Sequence, residues 1–282
     1  MIRRILIGVA GTPTFQTKID YLVDLAKRHD AEVGIVSVLD VRRLAFVGSV
    51  PLGAGQHAQE LREKRVKRSR ELDKDAVAKI EAACIKAGIT VDHVPDDFPP
   101  VEKLTAAWRY HDLCLLGARG WFEYDVFPQP QEHLLNLVAS GVRPILGLPE
   151  QFRPVRRALI AYNGSLQSAK AMKRFVQMSL WPGTQLHITC VGEPKSHEKP
   201  AHLLDHAAEY CRLYGHDPEI SHIDTAHAQG GASSALLAKA AETEADLIVV
   251  GSSYRKVLLS HRLGRTALDL VKTSDVPVFL TH

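Results

Sequence analysis

The sequence has little of what marks a disulfide-stabilised, metal-binding or membrane-spanning protein. Its 282 residues include four cysteines, which are scattered without a CxxC pair. This pattern is typical of a reduced, cytoplasmic protein rather than of a disulfide framework or a zinc site. The histidines show no HExxH or other tight ligand spacing, so no metal is predicted. No apolar run approaches the roughly 20 residues that a membrane-spanning helix needs, so no membrane association is predicted.

Charge and catalytic motifs are equally sparse. The formal net charge of +3 is too small to indicate a nucleic acid partner. The basic segment at 62–70, REKRVKRSR, is predicted to be a solvated part of a long helix, and binding of a nucleic acid or another anionic partner there is the less favoured alternative. The chain has no Walker A motif, nucleophile elbow or paired-carboxylate motif. No catalytic base is nominated, so an enzyme is not predicted.

The chain does contain an internal repeat, in which one sequence unit occurs twice. The segment RRILIGVAGT at 3–12 matches RRALIAYNGS at 156–165, and DLCLLGARG at 112–120 matches DLIVVGSSY at 246–254. A repeat over this distance indicates duplication of a whole domain. At 282 residues the chain is long enough for two ordinary domains. We predict a first domain at 1–149 and a second at 154–282, with a short proline-bounded linker between them.

Each half reads as five strands that alternate with helices. The strands are predicted near 3–9, 33–39, 89–94, 112–117 and 143–148, and near 156–162, 185–191, 218–223, 246–251 and 276–281. The helices are predicted near 15–29, 57–87, 100–110 and 131–140, and near 166–179, 200–215, 231–244 and 264–273. Such alternation indicates an α/β fold with parallel sheets. A single continuous sheet, or different topologies on the two sides of residue 150, would contradict the duplication.

The most informative stretch runs from Asp246 to His282. An apolar run ends on Gly251, a polar and basic loop follows, and Gly264 opens a short helix. Glycines at a strand end and a helix start bring backbone N–H groups together, and the helix N-terminus adds partial positive charge. Arg255 and Arg265 could form bidentate hydrogen bonds with a phosphate. This loop is therefore predicted to bind an anion.

The spacing of this loop resembles the C-terminal signature of the universal stress protein family: glycine, two residues, glycine, nine residues, glycine and a hydroxyl residue. Gly251 and Gly264 keep their places, whereas Tyr254 replaces the second glycine. Arg265 stands where the hydroxyl belongs, with Thr266 one place later. The resemblance implies two tandem five-stranded parallel-sheet sandwiches of Rossmann-like, adenine nucleotide alpha hydrolase-like fold. It further implies a pseudo-two-fold axis between them and pairing of their last strands, Pro144–Leu148 and Pro277–Thr281.

The resemblance also implies a site for ATP or a related adenine nucleotide, with or without Mg²⁺, in the second half. Asn163 would contact the nucleoside and Val191 the adenine, while the glycine loop would hold phosphate. The site residues implied in this way are Asn163, Gly164, Ser165, Val191, Gly251, Ser252, Arg255, Gly264, Arg265 and Thr266. The first half is predicted to be a degenerate copy, because Ala10 replaces the polar residue and Pro130 replaces the closing glycine after Gly117.

Two functions remain open from the sequence, and a third, slow ATP hydrolysis, ranks last because no base is identified for it. The first is a cytoplasmic stress-response regulator whose second domain binds an adenine nucleotide. The alternative is a structural or signalling module of the same family that binds no nucleotide and acts through a protein partner. Tyr254 and Pro130 favour the alternative. Pairing of the two domains within the chain is expected under both, and a homodimer is possible under both.

Overall fold

A computed structural model shows a repeated succession of strands and helices. It describes residues 2–9, 16–38, 55–94, 99–117, 137, 144–196, 198–224, 230–252, 254–257 and 260–281. The first half runs β1 (Arg4–Val9), α1 (Gln16–His29), β2 (Glu32–Ser37), α2 (Gly55–Lys86), β3 (Val91–His93), α3 (Pro100–Trp108), β4 (Leu113–Leu116) and β5 (Ile145–Gly147). The second half runs β6 (Arg157–Ala161), α4 (Leu166–Met178), β7 (Gln185–Val191), α5 (Pro200–Arg212), β8 (Glu219–Ile223), α6 (Gly231–Glu242), β9 (Leu247–Gly251), β10 (Tyr254–Val257), β11 (Ser260–Leu263), α7 (Arg265–Thr273) and β12 (Val278–Thr281).

The predicted strands and helices are confirmed to within a few residues at each end, with two qualifications. The helix predicted at 131–140 lies outside the described residues, apart from Leu137. The loop predicted between Gly251 and Gly264 is wrong in part, because the antiparallel hairpin β10–β11 occupies it. In that hairpin Tyr254 pairs with Leu263 and Arg255 with Arg262.

Ten of the twelve described strands form one sheet, in the order β3-β2-β1-β4-β5-β12-β9-β6-β7-β8. The five strands of each half are parallel to one another and follow the same order outward from the middle. The last strands β5 and β12 pair antiparallel, with Val278 opposite Gly147 and Leu280 opposite Ile145. The expected pairing of last strands is thereby confirmed, because each strand hides the other's open edge.

The pairing of β5 with β12 corrects the expectation that a single continuous sheet would contradict the duplication. Two duplicated halves that pair edge to edge form one continuous sheet, so separate sheets are not required. The strand order on the two sides of residue 150 agrees, as the duplication requires. The exact pseudo-two-fold axis and the boundaries 1–149 and 154–282 stay predictions.

The core lies on both faces of this sheet. Residues of β1 alternate between two buried clusters, with Ile7 in one and Leu6 in the other. Each cluster extends into the second half, where the first includes Phe279 and the second includes Leu159 and Leu270. Strands covered on both faces read as continuous apolar runs, which is why the sequence revealed them.

Polar contacts also join the halves near the linker. The Tyr21 hydroxyl donates to the Arg153 carbonyl at 3.1 Å and accepts the Arg153 N–H at 3.0 Å. The Trp181 indole N–H donates to the Asp24 carboxylate at 2.8 Å. Helix α1 is therefore tied both to the linker and to the loop that follows α4.

Helix α2 contains the basic segment in one unbroken helix, as predicted. None of its described side chains before Asp73 is buried, whereas Ala76, Ile80 and Cys84 form a buried stripe. The segment at 62–70 thus lies on the solvated part of the helix. No helix within the described ranges is both long enough and apolar enough to cross a membrane.

Candidate functional site

A cavity of about 420 Å³ opens at the carboxyl ends of β6, β7 and β9. The first turns of α4, α6 and α7 complete its wall. This is the edge at which open parallel sheets bind ligands. The lining residues are Ala161, Tyr162, Asn163, Ser165, Gln167, Ser168, Thr189, Val191, Lys195, Ala232, Leu236, Val250, Gly251, Gly264, Thr266 and Ala267.

The turn from Asn163 to Ser165 shapes one wall. The Asn163 carboxamide oxygen accepts the Ser165 N–H at 3.2 Å, and the Ser165 hydroxyl accepts the Ser168 N–H at 3.2 Å to cap α4. Gly164 has a φ of 75°, which favours glycine. Because its oxygen is used within the turn, Asn163 has its amide group left for a ligand.

Gly251 forms the floor at the end of β9. A Cβ atom built there would lie 2.3 Å from the carbonyl carbon of Gln167, so only glycine allows the strand to approach α4 this closely. The next residue, Ser252, is fully buried, and its N–H donates to the Thr281 carbonyl at 2.8 Å. Ser252 therefore joins β9 to β12 and does not line the cavity.

The N-terminus of α7 faces the cavity through Gly264, Thr266 and Ala267. Gly264 is the N-cap and offers no side-chain cap, and the helical hydrogen bonds begin with the Leu268 N–H. The first-turn N–H groups therefore give this wall a partial positive charge. The Arg265 side chain is 96% exposed and lies 3.8 Å from the Asp269 carboxylate, so it does not line the cavity.

The predicted residues are thus only partly brought together. Six of them line the cavity, namely Asn163, Ser165, Val191, Gly251, Gly264 and Thr266. Gly164 shapes the turn beneath it, and Ser252 and Arg265 have their side chains elsewhere. Arg255 is placed in β10, but its side chain lies outside what the structure describes.

Thr189 and Lys195 are two of the polar lining residues that the sequence analysis missed. Thr189 precedes Val191 by two residues on β7, so strand periodicity puts both on one face and could have identified it. Lys195 belongs to the loop after β7, in which the sequence analysis predicted no site residue. Its N–H donates to the Asn163 carbonyl at 2.7 Å.

Thr189 also begins a line of hydrogen bonds that leads away from the cavity. Its hydroxyl lies 3.0 Å from the Ser221 hydroxyl, which lies 2.8 Å from Nε2 of His187. Nδ1 of His187 lies 3.3 Å from the Glu219 carboxylate. Burial lowers the pKa of His187, with Glu219 opposing that shift, so the imidazole is neutral at pH 7.

The corresponding strand end in the first half is filled differently. A Cβ at Gly117 would lie 2.3 Å from Cε of Lys18, whose side chain is buried. Burial lowers the pKa of Lys18 to about 8. Ala10 and Pro130 lie outside the described residues, so the degenerate first-half loop stays a prediction. Within the part of the chain that is described, no three His, Cys, Asp or Glu residues cluster as a metal site would require.

Fold and cavity together define a tandem α/β protein with a ligand-sized site at the carboxyl edge of its second half. The chain belongs to the universal stress protein family, whose family model matches residues 1–137 and again 154–282. This double match confirms the tandem organisation. Membership supports a role in stress response.

Known relatives cover nearly the whole chain. Universal stress protein Slr1230 of Synechocystis is 22% identical over 98% of this chain and 99% of its own length. A universal stress protein structure from Archaeoglobus fulgidus matches with a TM-score of 0.66 at 22% identity, over 99% of this chain and 97% of that one. A putative universal stress protein from Pseudomonas aeruginosa matches with a TM-score of 0.59 at 14% identity, over 99% and 93%. These structures confirm the fold.

Proposed function

We propose that the protein is a cytoplasmic stress-response regulator whose second half binds an adenine nucleotide. One observation carries this proposal. Residues predicted from four separate segments, represented by Asn163, Val191, Gly251 and Thr266, converge on one cavity at the carboxyl edge of the sheet. A ligand-sized cavity lined by apolar surface and a few polar groups is typical of a small-molecule site.

The walls suit the parts of a nucleotide. Val191 with Leu236 and Ala232 offers apolar surface for adenine, and the Asn163 amide can bond the nucleoside. The first turn of α7 offers backbone N–H groups and the Thr266 hydroxyl to phosphate. In this arrangement Arg265 would contribute through its backbone N–H, whereas the Ser252 N–H is already bonded to the Thr281 carbonyl. Mg²⁺, where present, would accompany the phosphates.

The cavity supports binding rather than turnover. Among its described lining residues none is Asp, Glu or His, which are the usual general bases. A bound nucleotide would therefore act as an effector that stabilises one state of the protein.

Calorimetry on the full chain tests the proposal. We expect MgATP to bind wild type and to lose its heat of binding in Gly264→Val, because the added side chain enters the phosphate wall. The backbone tolerates this change, since Gly264 has a φ of −54°. Thr273→Val, at the far end of the same helix, is the matched control and should bind as wild type does. Absence of binding heat from wild type with ATP, ADP and AMP would overturn the proposal.

One observation favours the alternative, a module without nucleotide that acts through a protein partner or a homodimer. Arg265, which should have replaced a lost phosphate donor, lies outside the cavity beside Asp269. If this alternative holds, Gly264→Val should leave every measured property of the second half unchanged, and sedimentation should show association independent of nucleotide.

A further inference from the structure

Lys195 lines the cavity on the β7 side, opposite the glycine loop that follows β9. In the sheet order, β6 lies between β9, which leads to the glycine loop and α7, and β7, which leads to Lys195. Lys195 and the N-terminus of α7 therefore approach from opposite sides of β6. Of the described residues that line the cavity, Lys195 is the one with a cationic side chain.

The loop that carries Lys195 is fixed at its start and at its middle. At its start, the Gly192 N–H donates to the Ile223 carbonyl at 2.9 Å, and Nε2 of His222 lies 3.0 Å from the Gly192 carbonyl. At its middle, the Lys195 N–H donates to the Asn163 carbonyl at 2.7 Å. The backbone beneath the lysine is thus set in place before a ligand arrives, which reduces the entropy lost on binding.

The loop also packs directly on the turn that holds Asn163. A Cβ added to Gly164 would lie 2.5 Å from the hydroxyl oxygen of Ser196, the residue after Lys195. Asn163 and Lys195 therefore form one structural unit, and both residues line the cavity.

Among the residues that the structure describes, none forms an ion pair with Lys195. The Glu198 carboxylate of the same loop lies 3.9 Å from Nδ1 of His206 instead. Arg265, by contrast, lies beside Asp269. A cation that lines a cavity and has no carboxylate partner among the described residues can form charge-assisted hydrogen bonds with an anionic ligand.

We propose that Lys195 determines the specificity of the cavity, by favouring a phosphorylated nucleoside over the nucleoside itself. This inference rests on the proposed nucleotide site. It assigns the selection of the anion to the loop after β7, in addition to the backbone of the glycine loop. The lysine acts on the phosphate and leaves recognition of the base to other residues.

The test compares adenosine, 5′-AMP, 3′-AMP and MgATP in calorimetry at low salt. Wild type should bind at least one of the phosphorylated ligands about 10- to 100-fold more tightly than adenosine, the range expected for a charge-assisted hydrogen bond. Lys195→Met should remove most of this preference and leave the affinity for adenosine unchanged. Lys195→Arg should retain it. Comparison of the two AMP isomers shows which phosphate position the lysine meets.

Lys199→Met is the matched control, since Lys199 belongs to the same loop but does not line the cavity. It should behave as wild type. Equal loss of adenosine and AMP affinity in Lys195→Met, or no loss of either, would overturn this inference and leave the nucleotide site standing. Failure of wild type to bind any of the four ligands would overturn the proposed function, and this inference with it.

Discussion

Gly251 at the end of β9 lies against the main chain of Gln167 in the first turn of α4, where a Cβ would approach the Gln167 carbonyl carbon to 2.3 Å. The contact is with backbone, which cannot rotate away. Gly251→Ala should therefore separate the strand from the helix, with a loss of about 1–3 kcal/mol of folding stability, the usual effect of overpacking. The free energy of unfolding in urea measures it.

The same variant should also lose nucleotide affinity, because both displaced elements line the cavity. Gly183→Ala is the control, since a Cβ there meets nothing within 4 Å and only the left-handed backbone, with a φ of 82°, is strained. Gly183→Ala should lower stability by about 1 kcal/mol and leave ligand affinity unchanged. Equal ligand affinity in Gly251→Ala and wild type would contradict the prediction.

The strands could be predicted from the sequence because a strand buried on both faces is a continuous run of apolar residues. Leu247–Gly251 is a continuous apolar run, and its copy in the first half repeats the pattern. The hairpin β10–β11 was missed because its four-residue strands are polar and basic and are joined without an Asn-Gly or Asp-Gly signal. Short polar strands look like loops to any method that reads hydrophobic periodicity.

Only those site residues that belong to a motif with fixed spacing could be predicted from the sequence. Gly251, Gly264 and Thr266 follow from the glycine pattern, and all three line the cavity. Lys195 could not be found this way, because a lysine in a polar loop has the composition of a solvated residue. Its position depends on a long-range hydrogen bond to Asn163, which no local pattern encodes.

Tyr21 should contribute more to stability than an ordinary buried tyrosine. Its hydroxyl satisfies both the N–H and the carbonyl of Arg153, and burial raises the pKa of Tyr21 to about 12. Tyr21→Phe leaves both backbone groups without this partner, so a loss of about 1–3 kcal/mol in the free energy of unfolding is expected. Tyr110→Phe, at a tyrosine that is 73% exposed, should have no measurable effect. Equal stabilities for the two variants would show that the linker contact is energetically neutral.

Burial of the charged Lys18 side chain should lower the stability of the folded protein at neutral pH. Its pKa is lowered from 10.5 to about 8 by burial, so between pH 8 and 10.5 the folded chain binds fewer protons than the unfolded chain. Stability from this group therefore rises with pH through that window and is lowest below pH 8. Lys18→Met should be more stable than wild type at pH 7 by an amount on the order of 3 kcal/mol, and the difference should vanish near pH 10.5.

Urea unfolding of both proteins across this pH range measures the difference. Lys27→Met, at an exposed lysine of the same helix, controls for the loss of a positive charge. A stability difference that does not change with pH would contradict the prediction.

His187 should make stability fall on mild acidification. Burial lowers its pKa below 6.5, against the opposing effect of Glu219 and together with the field of Lys239. The unfolded chain then binds more protons than the folded chain below about pH 6.5, so this part of the stability is present above that pH and is lost as pH falls through the folded-state pKa. His187→Gln should flatten the acid limb of the stability curve between pH 7 and 5, whereas His206→Gln, at an exposed histidine, should not. Parallel curves for wild type and His187→Gln would refute the assignment.

Phe279 connects the two halves at the β5–β12 junction. It is fully buried, pairs with Leu146 across the antiparallel register, and meets Phe175 edge-on with ring centroids 5.4 Å apart. Phe279→Ala should lower the free energy of unfolding by about 3–5 kcal/mol, because it leaves a cavity in a core shared by both halves. Phe279→Leu fills most of that space and should lose much less.

Scanning calorimetry shows whether the halves unfold together. Because each core cluster contains residues of both halves, wild type should unfold in one cooperative transition whose calorimetric and van't Hoff enthalpies agree. Phe279→Ala should shift that transition to lower temperature or split it in two, because the shared core couples the unfolding of one half to that of the other. Two separate transitions in wild type would mean that the junction strands pair without coupling the stability of the halves.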